Sequence, residues 1–288
     1  MKRLIKQLRD ELGDLDPQGE CDALIRIIAL DLLKIGNTTF FLRDEITLDA
    51  MQQKMVDDAI ERLKRAEPIQ YIIGETEFCD LTFKVNPSVL IPRPETGELV
   101  RWIAAENSGR ENKILDIGTG SGCIAISLAK MMPRADVTAW DISHEAIETA
   151  KSNNTLNGTN VTFARQDIFA VCDESAKYDI IVSNPPYIKE VEKEKMQRNV
   201  LDWEPCIALF VPDNDPLLFY RQIARKGLQL LKNGGRLYFE INREHGEETC
   251  AMLAQYGYTA IELRKDFADN DRMIRAILET STPDNANR

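Results

Sequence analysis

"KILDIGTGSGCIAISLAKMMP" (Lys113–Pro133) holds a strand, a loop and a helix in one line. "KILDI" is a short run rich in branched apolar residues, the mark of a buried strand, and "CIAISLAKMMP" has helical length and stops at Pro133, which cannot continue a helix. Between them Gly118, Gly120 and Gly122 take alternate places in the loop. Glycine lets the main chain turn sharply and lets a ligand approach it with no Cβ in the way. A glycine loop between a strand and a helix predicts a ligand-holding turn at one end of a parallel sheet.

The alternation continues toward the C-terminus. "ADVTAWDI", "VTFARQD", "YDIIVSN" and "GRLYFEI" read as strands, and "EAIETAKSNNTLNG", "LLFYRQIARKGLQLLKNGG" and the stretch from Glu244 to about Gln255 as helices. Two late β segments follow near "TAIEL" and "RMIRAILE". Repeated β-α units predict an α/β fold, a doubly wound sheet with helices on both faces and its ligand at the carboxyl ends of the strands.

Toward the N-terminus the pattern is helical. "CDALIRIIALDLLKIG" puts Leu24, Ile27, Ile28, Leu32 and Ile35 at helical spacing, with Gly36 as the expected C-cap. "TLDAMQQKMVDDAIERLKRAEP" repeats the pattern and stops at Pro68. "FCDLTFKVNPSVL" (Phe78–Leu90) reads as a hairpin with its turn near Asn86-Pro87. The expected organisation is a helical bundle over 1–73, a hairpin connector over 74–92, a catalytic domain over 93–280 and a disordered tail over 281–288.

At 288 residues, with 43% hydrophobic and 29% charged residues, the composition is that of a globular protein. No apolar run approaches the roughly 18 residues of a membrane span, and "MKRLIKQLRDELGD" lacks the apolar stretch of a signal peptide, so a cytoplasmic location is expected. Cys21, Cys79, Cys123, Cys172, Cys206 and Cys250 are scattered, and only His144 and His245 are there to join them. That spacing predicts neither a metal site nor a disulfide framework. The net charge of −11 disfavours a phosphate backbone as partner, so direct nucleic-acid binding is not expected. The chain is expected to act as a monomer.

The dinucleotide fingerprint counted from Gly118 asks for Gly or Ala at position 123, where Cys123 stands, which weakens a nicotinamide reading. Asp141, nineteen residues after Gly122, ends the next strand and is placed to accept from two ribose hydroxyls, as any adenosine ligand would allow. Ser143 is the better helix cap there. Asp167 ends a third strand, where an acid could meet an adenine amino group and Phe169 could pack on the ring; equally, the acid could be an isolated one before an apolar pair.

"YDIIVSNPPYI" (Tyr178–Ile188) ends a fourth strand on residues that a strand has little use for. Pro185 and Pro186 fix φ and remove two N–H donors, ending the ladder in a stiff loop. Asn184, before a proline, is pushed out of helical geometry. The loop presents an amide, backbone carbonyls and an aromatic ring, parts that suit a planar NH₂ on an sp² carbon. The lone pair of such a nitrogen is delocalised and poorly nucleophilic. If the Asn184 side-chain oxygen and the Pro185 carbonyl accept its two N–H bonds, they aim the lone pair and stabilise charge growing on nitrogen, while Tyr187 stacks on the plane.

In order, the glycine loop, an acid ending strand two, "QD" ending strand three and "NPPY" ending strand four resemble the class I S-adenosylmethionine-dependent methyltransferases over roughly Lys113–Leu278. That class is Rossmann-like, with a late antiparallel strand. "PIQYIIGETEF" (Pro68–Phe78), "VLIPRPETGELV" (Val89–Val100) and "EPCIALF" (Glu204–Phe210) further resemble the PrmC/HemK family, the protein-(glutamine-N5) methyltransferases of class I peptide-chain release factors. This resemblance spans nearly the whole chain. It implies that Gly118, Thr119, Gly120, Ser121, Gly122, Asp141, Asp167, Phe169 and Asn184 bind S-adenosyl-L-methionine, and that Asn184, Pro185, Pro186 and Tyr187 hold the glutamine amide of a Gly-Gly-Gln motif. Asn184, Pro185 and Tyr187 would be the catalytic set, and the bundle would help grip the release factor, acting in translation termination.

DNA adenine-N6 and ribosomal RNA guanine-N2 methyltransferases share the "NPPY" loop and form the alternative. They would be expected to carry a basic target-recognition segment, and "KEVEKEKMQR" (Lys189–Arg198) is mixed in sign. A binding-only sensor has no use for an amide-orienting loop. The chain departs from the family at Gly97, often an acid, in "DNDPLLFY" (Asp213–Tyr220) and in "FEIN" (Phe239–Asn242). Arg93 and Glu95 of "PRPET" have no role derivable from sequence beyond that of a clamp between domains.

Overall fold

The computed structural model describes residues 1–13, 21–171, 175 and 177–279. Cys172 and the tail expected over 281–288 lie outside the described residues. The chain divides into two compact units, Met1–Glu75 with Gln197–Trp203, and Thr76–Met196 with Glu204–Arg288.

The first unit is helical. Helix α1 (Lys2–Leu12) buries Leu4, Leu8 and Leu12, one residue per turn on one face. Helix α2 (Cys21–Ile27) runs into a wider π turn, Ile28–Leu32, and stops at Leu33. Gly36 therefore does not cap it. The glycine stands in extended geometry as the N-cap of α3 (Asn37–Leu42), because the next three residues restart a helix. Helix α4 (Ala50–Lys64) opens on a capping box, the Gln52 N–H donating to Asp49 at 2.7 Å and the Asp49 N–H to Gln52 at 3.1 Å. With α5 (Ile69–Ile73) these helices enclose a core of Leu8, Leu12, Ile28, Val56 and Ile60.

The second unit begins with strands β1 (Glu75–Phe78) and β2 (Leu81–Lys84). The hairpin turns at Cys79-Asp80, not near Asn86-Pro87: both turn residues have positive φ, 49° and 62°, the conformation whose twist matches two joined strands. Asn86 instead folds the chain after the hairpin, its Oδ1 accepting from the Ser88 N–H at 2.9 Å. Helix α6 (Pro94–Asn107), which the sequence reading did not assign, starts with proline in its first turn, where no donor is missed, and buries Leu99, Val100, Trp102 and Ile103.

Then follow β3 (Lys113–Ile117), α7 (Cys123–Met131), β4 (Asp136–Asp141), α8 (His144–Asn157), β5 (Thr162–Arg165) and β6 (Tyr178–Ser183). Ser143 caps α8 as expected, accepting from the Ala146 N–H at 3.1 Å. After β6 come a two-residue strand β7 (Ile188–Lys189), a 3₁₀ turn (Glu190–Lys195), α9 (Arg198–Leu201), α10 (Cys206–Leu209) and β8 (Phe210–Val211), which pairs with β7. The chain closes with α11 (Leu218–Leu230), β9 (Leu231–Glu240), α12 (Gly246–Gln255), β10 (Tyr258–Lys265) and β11 (Asp271–Leu278). Helix α11 ends five residues before the expected Gly235, because Leu231 already pairs with Tyr178.

The main sheet runs β10-β11-β9-β6-β3-β4-β5, with β9, β6, β3, β4 and β5 parallel and β11 antiparallel to its neighbours. This is the expected doubly wound sheet with a late antiparallel strand. Successive strand residues alternate faces, so Ile114, Ile180, Val182 and Tyr238 join one core with α6 and α7, while Leu115, Ile181, Leu237 and Phe239 join the other with α11 and α12. The strand order reverses between β3 and β6. A crevice opens at such a point, beyond the carboxyl ends of the strands.

Candidate active site

A cavity of about 260 Å³ occupies that crevice. Its walls come from the ends of four parallel strands. The loop after β3 supplies Gly118, Thr119, Gly120 and Ser121; β4 supplies Asp141; the chain after β5 supplies Asp167, Ile168 and Phe169; and β6 supplies Ser183, Asn184, Pro185 and Pro186.

The glycine loop is set by backbone geometry. Gly122 sits at φ +82°, and a Cβ there would come within 2.8 Å of Ile126 Cδ1 and 3.1 Å of Ala150 Cβ, so only glycine lets the loop enter α7. The N–H groups of Gly118 and Thr119 both donate to the Trp140 carbonyl at 2.9 Å, which ties the loop to the end of β4. The Gly120 N–H donates to Asp141 Oδ2 at 2.8 Å and the Ser143 N–H to Asp141 Oδ1 at 2.9 Å. Burial raises the Asp141 pKa, and these two donors oppose the rise. Each carboxylate oxygen keeps acceptor capacity for a ligand hydroxyl.

Asp116, in β3 two residues before Gly118, is fully buried and accepts from the Thr119 hydroxyl at 2.6 Å. Burial pushes it up to about 7, against the Thr119 hydroxyl and, more weakly, the Ala125 N–H. Among the described residues, its other oxygen, Oδ1, has no partner in full hydrogen-bond geometry. Asp167 accepts from the Phe169 N–H at 2.8 Å, and Phe169, 47% exposed, stands edge-on to Phe219 at 5.5 Å, both rings lining the cavity.

Of the residues expected to meet substrate, Asn184, Pro185 and Pro186 line the cavity and Tyr187 does not. The Tyr187 hydroxyl donates to Glu240 Oε1 at 3.3 Å, and the Asn242 amide donates to the Tyr187 carbonyl at 3.2 Å. Burial and the Glu240 charge raise the Tyr187 pKa, keeping it a neutral donor. The structure thus gives Tyr187 a supporting position beneath the loop.

Sequence reasoning missed the groups that hydrogen-bond around Asn184 and between the lining stretches. Thr96, 2% exposed, donates to Glu240 Oε2 at 2.5 Å and accepts from Asn184 Nδ2 at 3.4 Å. Arg93 is paired with Glu204 at 2.6 Å, the carboxylate side chain being 1% exposed, and Glu204 also accepts from the Ile91 N–H at 3.4 Å. Arg93 thus ties "VLIPRPET" to "EPCIALF" inside the second unit. Both stretches line the cavity, through Val89, Pro92 and Thr96 and through Pro205, Ile207 and Ala208. No local pattern announces these pairings, since Thr96 and Glu240 are 144 residues apart.

The cavity suits an adenosine cofactor on its own geometry. A glycine loop that keeps its side chains out of the way, a half-buried carboxylate at the β4 end and an aromatic ring at the β5 end line one cavity. Among the described residues no group of His, Cys, Asp and Glu could hold a metal ion, and no helix is long and apolar enough to cross a membrane.

Sheet order, glycine loop and "NPPY" loop together define a methyltransferase of the class I type. Two family models match the chain: one described as "PrmC N-terminal domain" over residues 3–74, and one described as "Methyltransferase small domain" over residues 96–202. The release factor glutamine methyltransferase of Bacteroides thetaiotaomicron is 49% identical over 96% of this chain and 99% of its own length. That of Flavobacterium psychrophilum is 45% identical over 94% of this chain and 98% of its own. The chain belongs to the release factor glutamine methyltransferase family. In fold it also matches a methyltransferase from Pyrococcus furiosus, with a TM-score of 0.52 and 17% identity over 69% of this chain and 90% of that one.

Proposed function

We propose that this chain methylates the side-chain amide nitrogen, N5, of the glutamine in the Gly-Gly-Gln motif of class I peptide-chain release factors, with S-adenosyl-L-methionine as donor. Asn184 at the cavity wall, on a loop stiffened by two prolines, supports transfer to a planar NH₂, and the family membership of the chain supports a release-factor glutamine over a nucleobase. Gly118 to Gly122, Asp141, Asp167 and Phe169 hold the cofactor; bound there, it supplies a methyl group on a positively charged sulfur, which needs no acid to leave.

The residues of the chain do the positioning. The Asn184 oxygen and the Pro185 carbonyl accept the two N–H bonds of the glutamine amide and fix the direction of its lone pair. The same acceptors stabilise positive charge as the N–C bond forms, before the nitrogen sheds one proton. Positioning of this kind supplies up to roughly 7–11 kcal/mol in favourable cases, which fits a site whose chemistry names no strong base. The helical unit contributes to grip on the protein substrate.

The test is methyl transfer from labelled cofactor to a purified release factor, beside its Gln→Ala variant, duplex DNA and ribosomal RNA. Label is expected on the wild-type factor alone, falling at least about a hundredfold with Asn184→Ala. Label on nucleic acid and none on the factor would overturn the reading.

A further inference from the structure

We propose that Glu240 and Thr96 form a buried relay that fixes which way round the Asn184 amide sits, making both of them positioning residues for methyl transfer. The inference rests on the function proposed for Asn184.

An asparagine amide has a donor end and an acceptor end of nearly equal shape, so sterics scarcely distinguish the two orientations; hydrogen-bond partners do. The difference is decisive here. With Oδ1 toward the cavity, Asn184 accepts from a substrate NH₂; turned over, it presents two N–H donors to two N–H donors.

The choice is made in the cavity wall at Thr96 and behind it at Glu240. Thr96 Oγ1 carries one proton, and Glu240 Oε2 takes it at 2.5 Å, both residues being at most 2% exposed. Glu240 Oε1 accepts from the Tyr187 hydroxyl at 3.3 Å. Burial raises the Glu240 pKa, while the Thr96 hydroxyl, the Arg272 charge and the Tyr187 hydroxyl favour the carboxylate. With its proton committed, Thr96 has only lone pairs to offer Asn184. It accepts from Nδ2 at 3.4 Å, and among the described residues no group donates to Asn184 Oδ1. The acceptor end is therefore the free end, and Asn184 itself lines the cavity. Three residues from "PRPET", "NPPY" and "FEIN" thus work as one directional chain.

Thr96→Val removes the proton and the acceptor at nearly constant volume; Thr96→Ser keeps both; Glu240→Gln removes the charge that commits the Thr96 proton, so that the hydroxyl is no longer held as an acceptor for Asn184. We expect Thr96→Val and Glu240→Gln to lower kcat by about tenfold or more with the cofactor Kd little changed, and Thr96→Ser to stay within about threefold of wild type; the melting temperature falls with Thr96→Val, which strips a donor from the buried Glu240. In an Asn184→Ala background, Thr96→Val should cost nothing further. The second readout is the ¹⁵N-resolved side-chain NH₂ signal of Asn184, identified by its loss in Asn184→Ala. It should shift and exchange faster in Thr96→Val and Glu240→Gln.

Activity of Thr96→Val within about twofold of wild type, or an unmoved Asn184 signal in both variants, overturns the relay. A wild-type protein that labels no release factor overturns the proposed function, and the NH₂ signal then still decides the relay.

Discussion

Asp116 has no exposed surface, and burial, with a smaller push from the Asp141 charge, lifts its pKa from 3.8 to about 7. The folded protein therefore keeps a proton on Asp116 where the unfolded chain has lost it. Stability linked to this group is full below 3.8 and is lost as pH rises through about 7, amounting to a few kcal/mol in order of magnitude. Asp116→Asn should flatten the fall in melting temperature between roughly pH 4 and 7, measured without ligand; parallel curves for the two proteins would remove Asp116 from the explanation. At this scale much was legible. Gly122 and Asn184 announce themselves because their constraints are local, a positive φ and a following proline. Asp116, Thr96 and Glu240 do not, since what matters in them is which distant atoms receive their hydrogen bonds.

Among the elements, α11 carries a glycine in its middle, where alanine would ordinarily gain about 1 kcal/mol. Gly227 is an exception set by packing. A Cβ there would overlap the hydroxyl of Tyr258, which is 3% exposed and donates to the Ala224 carbonyl at 2.9 Å. Gly227→Ala should therefore destabilise by about 1–3 kcal/mol in a denaturant titration. Placed on Tyr258→Phe, where the clashing oxygen is gone, the same change should turn neutral or stabilising; an equal loss in both backgrounds would refute the packing account. The sequence reading succeeded for the β-α alternation, whose periodicity is local. It misplaced the hairpin turn because Cys79-Asp80 lacks the usual Asn-Gly signal, and Asn86-Pro87 displays turn chemistry without joining two strands. It missed α6 because "PRPETGELV" opens on two prolines, a pattern that reads as loop until Leu99, Val100, Trp102 and Ile103 are seen against the sheet.

For the molecule as a whole, the net charge of −11 is the dominant long-range quantity. Like charges repel most when compact, and salt screens them over a Debye length of about 10 Å at 0.1 M. The melting temperature should rise by a few degrees as sodium chloride goes from about 0.02 to 0.3 M. A fall would mean that surface ion pairs, such as Lys232 with Asp179 at 2.8 Å, outweigh the net repulsion. What the sequence by itself determined was the class of fold, the order of the main-sheet strands from β3 onward, and the two loops that meet at the crevice. Each of these follows from short-range rules: hydrophobic period, glycine at a turn, proline at a strand end. The tertiary structure alone decided what stands behind those loops: Arg93 on Glu204, Tyr187 turned onto Glu240, and Thr96 between Glu240 and Asn184. Such contacts join residues more than fifty positions apart, and hydrogen bonding has no sequence period, so only the folded sheet could bring them together.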